Sequence, residues 1–356
     1  MCLRKVWLRI ERLIARARKI LEVKRNSSGQ IYVQDRVSEY QGIWRAVAEK
    51  IGARFTILED SVWELELDGK KTRFKNYLVE FDSPVTLEIA GMKPLIYKLF
   101  SEHGLRVPDH QVFQLDDLDR AWEFVKRYPS GCAVKPASGT SSGQGVTTHI
   151  QTKRELRRAA VLASLYGQEL LIEPMIPGEC YRLLVLDGEI IHAVRRRGPR
   201  VVGDGFSTMA SLIRAENDRR MERGEQVLDI DQDCLFTLGY QYLSPESIPA
   251  QGRTVIVKSV NDPHKKYVEV RTVYNEAVTD MICDSLRSDA ESAAKILNSR
   301  LVGVDFITVD PTVPLAQSGG VINEVNTTPG LHHHYDARLE SYPESALRVA
   351  QTLLGR

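Results

Sequence analysis

The sequence predicts an α+β fold in which antiparallel strands pair through tight turns. Asp68-Gly69 and Asp187-Gly188 each separate two runs of strand-forming residues, which is typical of β-hairpins. From about residue 92 onward, stretches with helical spacing of apolar residues alternate with short apolar strands. The chain has 356 residues, more than one compact core usually holds, so about two or three domains are expected.

Composition and charge narrow the class of protein. Apolar residues make up 43% and charged residues 27% of the chain, as in ordinary globular proteins. The formal net charge of +1 gives no general attraction for nucleic acid, so no nucleic-acid partner is expected. No apolar run is long enough for a membrane span, and Arg residues interrupt the N-terminus, unlike a secretory signal. The 5 scattered cysteines contain no C-x-x-C pair and predict reduced thiols in a cytoplasmic protein.

The N-terminal part begins with a predicted helix over residues 1–25, in which Trp7, Ile10 and Ile14 recur at helical spacing. The helix is rich in Lys and Arg and is expected to pack on its own domain or on a second copy of the chain. A membrane-surface helix is the alternative. Residues 26–31 predict a loop, and residues 38–52 a second helix.

The remaining elements follow from apolar periodicity and from turn residues such as Gly104, which ends a helix. Helices are predicted at 94–104, 118–127, 152–166, 209–223, 290–298 and 345–354. Strands are predicted at 62–67, 72–74, 131–136, 170–173, 182–186, 189–194, 254–258, 267–271, 301–308 and 321–325. The expected domains are a small N-terminal domain at 1–90, a middle part at 91–178 and a C-terminal core at 179–356.

Three oxygen-bearing side chains near the C-terminus form a candidate metal site. Asp305 is the carboxylate of an otherwise apolar strand, and a buried carboxylate without a partner is costly. Glu324 and Asn326 are two residues apart on the next strand and share one face, while Val325 faces the core. Oxygen donors are the ligands that Mg²⁺ prefers. The alternative is that Asp305 pairs with an Arg while Glu324 lies at a strand edge.

Two upstream segments suit a nucleotide. The strand ending at Lys135 leads into a loop of small residues that ends at Gly145, and such a loop brings backbone N–H groups close to phosphates. It has neither the P-loop nor the Rossmann arrangement, and a plain hairpin is the alternative. The segment from Glu173 to Glu179 contains a Pro-Gly bend against which an adenine could lie. An ordinary interdomain linker is the alternative there.

Taken together, the order of these features along the chain resembles that of the ATP-grasp superfamily. The similarity runs from about residue 92 to residue 335. Within the superfamily the sequence is most similar to the ATP-grasp module of cyanophycin synthetase and of bifunctional glutathione synthetases. Four groups of residues carry this resemblance: Tyr-Arg-Leu-Leu-Val-Leu-Asp-Gly at 181–188, Arg-Val-Val-Gly-Asp-Gly-Phe-Ser-Thr at 200–208, Leu212-Ile213 with Asn217, and Asn-Glu-Val-Asn-Thr-Thr-Pro-Gly at 323–330.

The resemblance implies an ATP-grasp fold, in which two α+β subdomains sandwich ATP, with a small N-terminal α/β domain in front. It implies an ADP-forming carboxylate–amine ligase that makes an amide or peptide bond through an acyl phosphate. Amino acids or short peptides are the expected substrates, and a homodimer is the expected assembly. A small-molecule kinase and a non-catalytic ATP-binding regulatory protein are the alternatives.

The resemblance also assigns roles to individual residues. ATP contacts are expected from Lys93, Lys135, Ser141, Gly143, Gly145, Glu173 and Glu179. Two Mg²⁺ ions, replaceable by Mn²⁺, are expected on Asp305, Glu324 and Asn326. Oxyanion stabilisation is expected from Arg182 and from one arginine of the run at 195–197. Arg195 and Arg197 are the first candidates and share a strand face opposite to that of Arg196, but the spacing alone does not say which arginine faces the phosphate.

Two features depart from the family pattern or leave alternatives open. The family often has an acidic residue directly before Tyr-Arg, but Cys180 stands there, which puts the ribose role of Glu179 in doubt by one position. The His332–His334 run is either an exposed loop or a source of one substrate-facing imidazole.

Overall fold

The computed structural model describes residues 2–25, 28–140, 144–223, 227–258, 274–335 and 340–356. Within these ranges the helices are α1 Cys2–Arg25, α2 Ser28–Ile51, α3 Pro84–Ala90, α4 Lys93–Glu102, α5 Leu118–Val125, α6 Lys153–Ala163, α7 Met209–Glu222, α8 Gln232–Gly239, α9 Asp284–Leu297, α10 Leu315–Ser318 and α11 Glu344–Leu353. The strands are β1 Arg54–Glu59, β2 Val62–Leu67, β3 Lys70–Lys75, β4 Leu78–Val79, β5 Gln111–Gln114, β6 Cys132–Pro136, β7 Thr147–Ile150, β8 Glu169–Pro174, β9 Glu179–Leu186, β10 Glu189–Arg197, β11 Arg200–Val202, β12 Thr254–Ile256, β13 Tyr274–Ala277, β14 Leu301–Thr308 and β15 Val321–Asn326.

Local sequence explains several of these boundaries. Asp68 and Gly69 both have positive φ, 51° and 78°, as a two-residue hairpin turn between β2 and β3 requires. Asp187 and Gly188 repeat this arrangement between β9 and β10. Thr152 begins α6 with a capping box, in which its hydroxyl accepts from the N–H three residues on. The Asp-Gly turns predicted from the sequence are therefore confirmed.

The strands form four sheets, and every described pairing is antiparallel. The N-terminal sheet has the order β1-β2-β3-β4, the middle sheet β5-β8-β6-β7 and the central sheet β13-β10-β9-β14-β15. Strands β11 and β12 form a separate pair. The mixture of helices and antiparallel sheets confirms the predicted α+β class.

The central sheet is buried on both faces. On one face Leu183 and Val304 pack with α9 through Ala290. On the other face Leu184 and Leu301 belong to a core that includes side chains of α2, β2, β3 and α11. The middle sheet has its own core with α5 and α6. The N-terminal part therefore covers one face of the central sheet, an arrangement that the sequence did not indicate.

The first two helices differ in how far the sequence predicted them. Helix α1 forms where it was expected and packs on α6 through Leu8 and Ala15, while Trp7 and Leu13 on its other side are exposed. The loop predicted at 26–31 is wrong from residue 28 onward, because α2 already begins at Ser28. Once its later residues pack, a helix extends backward at little cost where no Pro interrupts it. In the described ranges no helix is long and apolar enough to cross a membrane.

The region from 224 to 278 was the least predictable. The strand predicted at 254–258 is confirmed as β12, but the strand predicted at 267–271 lies outside the described residues. The sequence missed helix α8 and strand β13. Both are short, and short elements carry little periodicity.

Candidate active site

One polar side chain from each strand forms a row across the central sheet. In the order of the strands β13, β10, β9, β14 and β15, the row consists of Asn275, Arg196, Arg182, Asp305 and Glu324. Residues directly opposite each other in an antiparallel pair place their side chains on the same face. The register pairs Arg196 with Asn275, Arg182 with Asp305, and Asp305 with Glu324. Five distant segments of the chain therefore meet on one face.

The centre of the row is a buried ion pair. Arg182 Nε and Nη2 donate to the two carboxylate oxygens of Asp305, each at 2.6 Å. Both side chains are nearly inaccessible to solvent. Burial alone would lower the pKa of Arg182, but the charge and hydrogen bonds of Asp305 outweigh it and raise that pKa above its usual value. Asp305 is thus a buried carboxylate paired with an arginine, as the alternative interpretation of the sequence held.

Glu324 and Asn326 extend the acidic end of the row. Asn326 Nδ2 lies 3.4 Å from Asp305 Oδ2, and Lys93 Nζ lies 3.6 Å from Glu324 Oε1. Burial lowers the pKa of Lys93, and Glu324 offsets part of this effect. Among the described residues, no three His, Cys, Asp or Glu side chains are grouped as for a metal ion. Two carboxylates and one amide nevertheless converge, and as oxygen donors they fit Mg²⁺ when phosphate and water supply the other ligands.

A second buried cluster joins the middle sheet to β15. Lys135 Nζ lies 2.7 Å from Glu173 Oε1 and 3.1 Å from the hydroxyl of Tyr97. That hydroxyl lies 3.1 Å from Glu173 Oε2 and 2.7 Å from the carbonyl oxygen of Asn323. Burial, followed by the charge of Glu173, raises the pKa of Tyr97 well above its usual value. The cluster brings Lys93, Lys135 and Glu173 to the edge of the central sheet that carries the acidic pair.

Sequence reasoning missed Tyr97. It lies four residues after Lys93 on α4, and residues four apart share a helix face. That spacing was the available signal.

The arginine run on β10 divides between the two faces of the sheet. Arg196 shares the face of Asp305, and its Nη1 lies 3.8 Å from Asp305 Oδ2. Arg195 and Arg197 lie on the opposite face, where both pair with Glu179 and Glu276. Arg196 is therefore the member of the run that reaches the acidic row, and the catalytic roles expected for Arg195 and Arg197 stay predictions.

Glu179 and Cys180 begin β9 and point to opposite faces. Burial would raise the pKa of Glu179, but hydrogen bonds from Arg197 and Arg200 outweigh it and hold that pKa below its usual value. Cys180 shares the face of Arg182, and burial raises the pKa of its thiol to about 12. The carboxylate next to this strand end is thus engaged by arginines, and the residue on the site face is an un-ionised thiol.

Comparison with known proteins places this geometry in context. The structure matches the crystal structure of a bifunctional glutathione synthetase from Pasteurella multocida with a TM-score of 0.57 and 22% sequence identity. The match covers 89% of this chain and 43% of that protein. The chain has an ATP-grasp fold.

Sequence comparison agrees with this ATP-grasp fold. The chain is 29% identical over 254 residues to a cyanophycin synthetase from Trichormus variabilis, covering 70% of this chain and 27% of that protein. It is 23% identical over 260 residues to a bifunctional glutathione biosynthesis protein from Listeria innocua, covering 71% and 32% respectively. The chain thus spans about a third or less of the length of these relatives. No protein-family model matches the chain.

The glycine-rich loop of the ATP-grasp chain is only partly described. Ser141 and Gly143 lie outside the described residues, and their contacts with phosphate stay predictions. Gly145 has a φ of +73°, and an added Cβ would lie 2.8 Å from the ring of Tyr166. Its place against the end of β6 therefore requires glycine, and its role toward ATP also stays a prediction.

The three histidines after the acidic strand are buried rather than exposed. His332 Nδ1 lies 2.6 Å from the hydroxyl of Tyr40, which belongs to α2. His333 Nδ1 lies 3.2 Å from Asn275 Nδ2, and His334 Nδ1 lies 3.0 Å from His192 Nδ1. The segment thus covers the β10–β13 end of the polar row. Of the two interpretations that the sequence left open, this burial excludes the exposed loop.

Proposed function

We propose that this chain is an ADP-forming ligase that joins a carboxylate to an amine through an acyl phosphate. The observation that carries the proposal is the polar row, in which Arg182 and Arg196 meet Asp305 beside the Lys93–Glu324 pair. This arrangement suits the transfer of a phosphoryl group, since cations and carboxylates surround one point. The likeness to a cyanophycin synthetase and to glutathione biosynthesis proteins supports amino acids or peptides as substrates.

Each part of the proposed reaction is assigned to particular residues. Lys93 and Lys135 hold the phosphates of ATP, and Glu173 contacts the nucleotide. Asp305, Glu324 and Asn326 would hold Mg²⁺, which would supply positive charge against the phosphates. The substrate carboxylate takes the γ-phosphoryl group and releases ADP. An amine then forms the C–N bond while the bond to phosphate breaks, and Arg182 with Arg196 stabilises the negative oxygens in both steps.

Several finer points belong to the same proposal. Two Mg²⁺ ions, replaceable by Mn²⁺, take part. The loop containing Ser141, Gly143 and Gly145 closes over the phosphates, and Glu179 lies near the ribose. The protein works in the cytoplasm as a homodimer. Light scattering on the purified chain tests the oligomeric state directly.

An ADP-release screen tests the activity. The purified chain is incubated with Mg·ATP, the twenty amino acids and a set of dipeptides, and mass spectrometry detects the products. ADP release that needs both a carboxylate and an amine, together with a new amide, is the expected result. A product that keeps the phosphate would instead indicate a kinase. No release with any mixture would count heavily against a ligase.

The metal assignment has its own test. The double variant Asp305→Asn/Glu324→Gln should lower ATP turnover by about 100-fold or more, equivalent to about 3 kcal/mol of barrier. Mn²⁺ binding in the presence of ADP, measured by electron paramagnetic resonance, should weaken as well. Glu102→Gln is the matched control, because Glu102 is an exposed carboxylate of α4. Full turnover by the double variant would remove these residues from the metal site.

A further inference from the structure

The end of the polar row farthest from the acidic pair contains two buried polar atoms that lack a partner. Asn275 Oδ1 and His334 Nε2 have no hydrogen-bond partner among the residues that the structure describes. His334 is 4% exposed. A buried polar atom left without a hydrogen bond is unfavourable, so such atoms usually bind a ligand or a water molecule. Asn275 is the register partner of Arg196, and its amide nitrogen lies 3.2 Å from Nδ1 of His333, the residue before His334.

The hydrogen bonds within this group determine what the two atoms can bind. Asn275 Nδ2 donates to His333 Nδ1, which leaves Asn275 Oδ1 as an acceptor. When His334 Nδ1 donates to His192 Nδ1, His334 Nε2 is also an acceptor. Burial, followed by neighbouring histidines and the charges of Arg182 and Arg196, lowers the pKa of His334 well below its usual value. The ring is therefore neutral, and in this tautomer both atoms accept hydrogen bonds from a donor such as an amine.

The chemistry of the group disfavours anions, metal ions and permanent cations as ligands. Two acceptor atoms repel a carboxylate or a phosphate. A metal ion would need further ligands, and no suitable group of three exists among the described residues. A cation that stays charged is disfavoured by the nearby guanidinium groups of Arg182 and Arg196. An amine that can shed its extra proton fits both acceptors and the positive surroundings.

We propose that Asn275 Oδ1 and His334 Nε2 bind the amino group of the acceptor substrate beside the acyl phosphate. This inference rests on the proposed ligase function and names the place of its second substrate. The ammonium ion loses one proton to solvent as it enters. The neutral nitrogen then attacks the carbonyl carbon, the C–N bond forms, phosphate leaves with the electrons of the broken C–O bond, and the second proton leaves from nitrogen to phosphate.

The position of the subsite supports this order of events. Arg196 Nη1 lies 3.8 Å from Asp305 Oδ2, and Asn275 stands opposite Arg196 on the next strand. The nucleotide end at Glu324 and the amine end at Asn275 thus lie on opposite sides of the two arginines. A substrate carboxylate that is phosphorylated beside the two arginines would therefore lie next to the amine on the same face of the sheet.

Hydroxylamine separates the two half-reactions. At high concentration this small nucleophile captures an acyl phosphate as a hydroxamate without needing a dedicated subsite. The purified full chain is incubated with Mg·ATP and the twenty amino acids, with or without hydroxylamine, and mass spectrometry measures hydroxamates and dipeptides. The variants are His334→Phe, which keeps a ring, and Asn275→Leu, which keeps the side-chain size. His103→Phe, at the exposed end of α4, is the matched control.

Each variant should lower dipeptide yield by at least about tenfold, as expected for the loss of a buried hydrogen bond near the reacting atoms. Hydroxamate yield should stay within about twofold of the wild type, and this reaction also reports that the variant is folded. If one variant fails to fold, the other decides the question.

Three results would overturn the subsite. Dipeptide and hydroxamate yields that fall together would indicate a structural role. Unchanged dipeptide yields would mean that the two atoms hold only a water molecule. A wild-type chain that forms neither product would overturn the ligase proposal itself, and that outcome is distinct from the other two.

Discussion

At the scale of single residues, the site consists of charges that already have partners. Arg182 neutralises Asp305, and Lys93 approaches Glu324. A buried ion pair contributes little net stability, but the loss of one partner leaves a costly unpaired charge. The arginine and the lysine therefore hold the two carboxylates in place before any nucleotide arrives. Catalytic groups held in this way need little rearrangement when substrate binds.

Removal of the Tyr97 hydroxyl tests how much the buried hydrogen bonds between the middle sheet and β15 contribute to stability. Tyr97→Phe removes the group that lies near Glu173, Lys135 and the carbonyl of Asn323. Because these buried partners lose a hydrogen bond, the free energy of unfolding should fall by about 1–3 kcal/mol. Urea denaturation measures the change, and calorimetry should show weaker binding of Mg·ATP.

Tyr128→Phe is the control for that variant, because the Tyr128 hydroxyl bonds Asp109 at the surface. It should change the free energy of unfolding by less than about 0.5 kcal/mol. Equal effects of the two variants would show that the hydroxyl of Tyr97 has no special structural role.

At the scale of elements, the connection from β8 to β9 depends on Gly178. Its φ is +122°, and an added Cβ would lie 2.2 Å from the carbonyl carbon of Thr308 on β14. Gly178→Ala should therefore destabilise the chain by more than the roughly 1–2 kcal/mol that a positive φ alone costs. Urea denaturation again provides the measurement.

The Gly69→Ala variant separates the cost of a positive φ from the cost of a steric clash between an added Cβ and β14. Gly69 also has a positive φ, but an added Cβ there would meet nothing within 4 Å. If both variants lose the same free energy of unfolding, the close approach of Gly178 to β14 is unimportant.

Sequence reasoning succeeded where a local pattern determines the element. Asp187-Gly188 predicted its hairpin, and the two-residue spacing of Glu324 and Asn326 correctly predicted their shared face. Sequence reasoning failed where tertiary contacts determine the position of a side chain. Alternation showed that Arg196 differs from its two neighbours, but only the pairing of β10 with β9 shows which face carries Asp305. Asn275 lies on a short strand with no periodic signal, so its place beside Arg196 could not be predicted.

At the scale of the whole molecule, the N-terminal part and the ATP-grasp region share a core. Side chains of α2, β2 and β3 pack with Leu184 and Leu301 of the central sheet, and Tyr40 contacts His332. The domain boundary near residue 90 stays a prediction, but it would divide this core. The helices and strands before it also support the histidine segment that covers the polar row.

A truncation tests this dependence. A fragment of residues 91–356 should aggregate or lose its cooperative urea transition, because it exposes the apolar face around Leu184 and Leu301. A fragment of residues 28–356 is the control, since it lacks only α1, which packs on a different core through Leu8 and Ala15. Circular dichroism and size-exclusion chromatography provide the measurements. An unchanged urea midpoint for the shorter fragment would contradict a shared core.

The polar row limits where insertions and deletions can be tolerated in the chain. Side chains alternate between the two faces of a strand, so one codon inserted or deleted within β14 would turn Asp305 into the apolar core beside α9. The same change in the loop after β14 would leave every partner in register. We expect natural variation in length to be confined to the connections, while the spacing within each of the five strands is preserved from one descendant to the next.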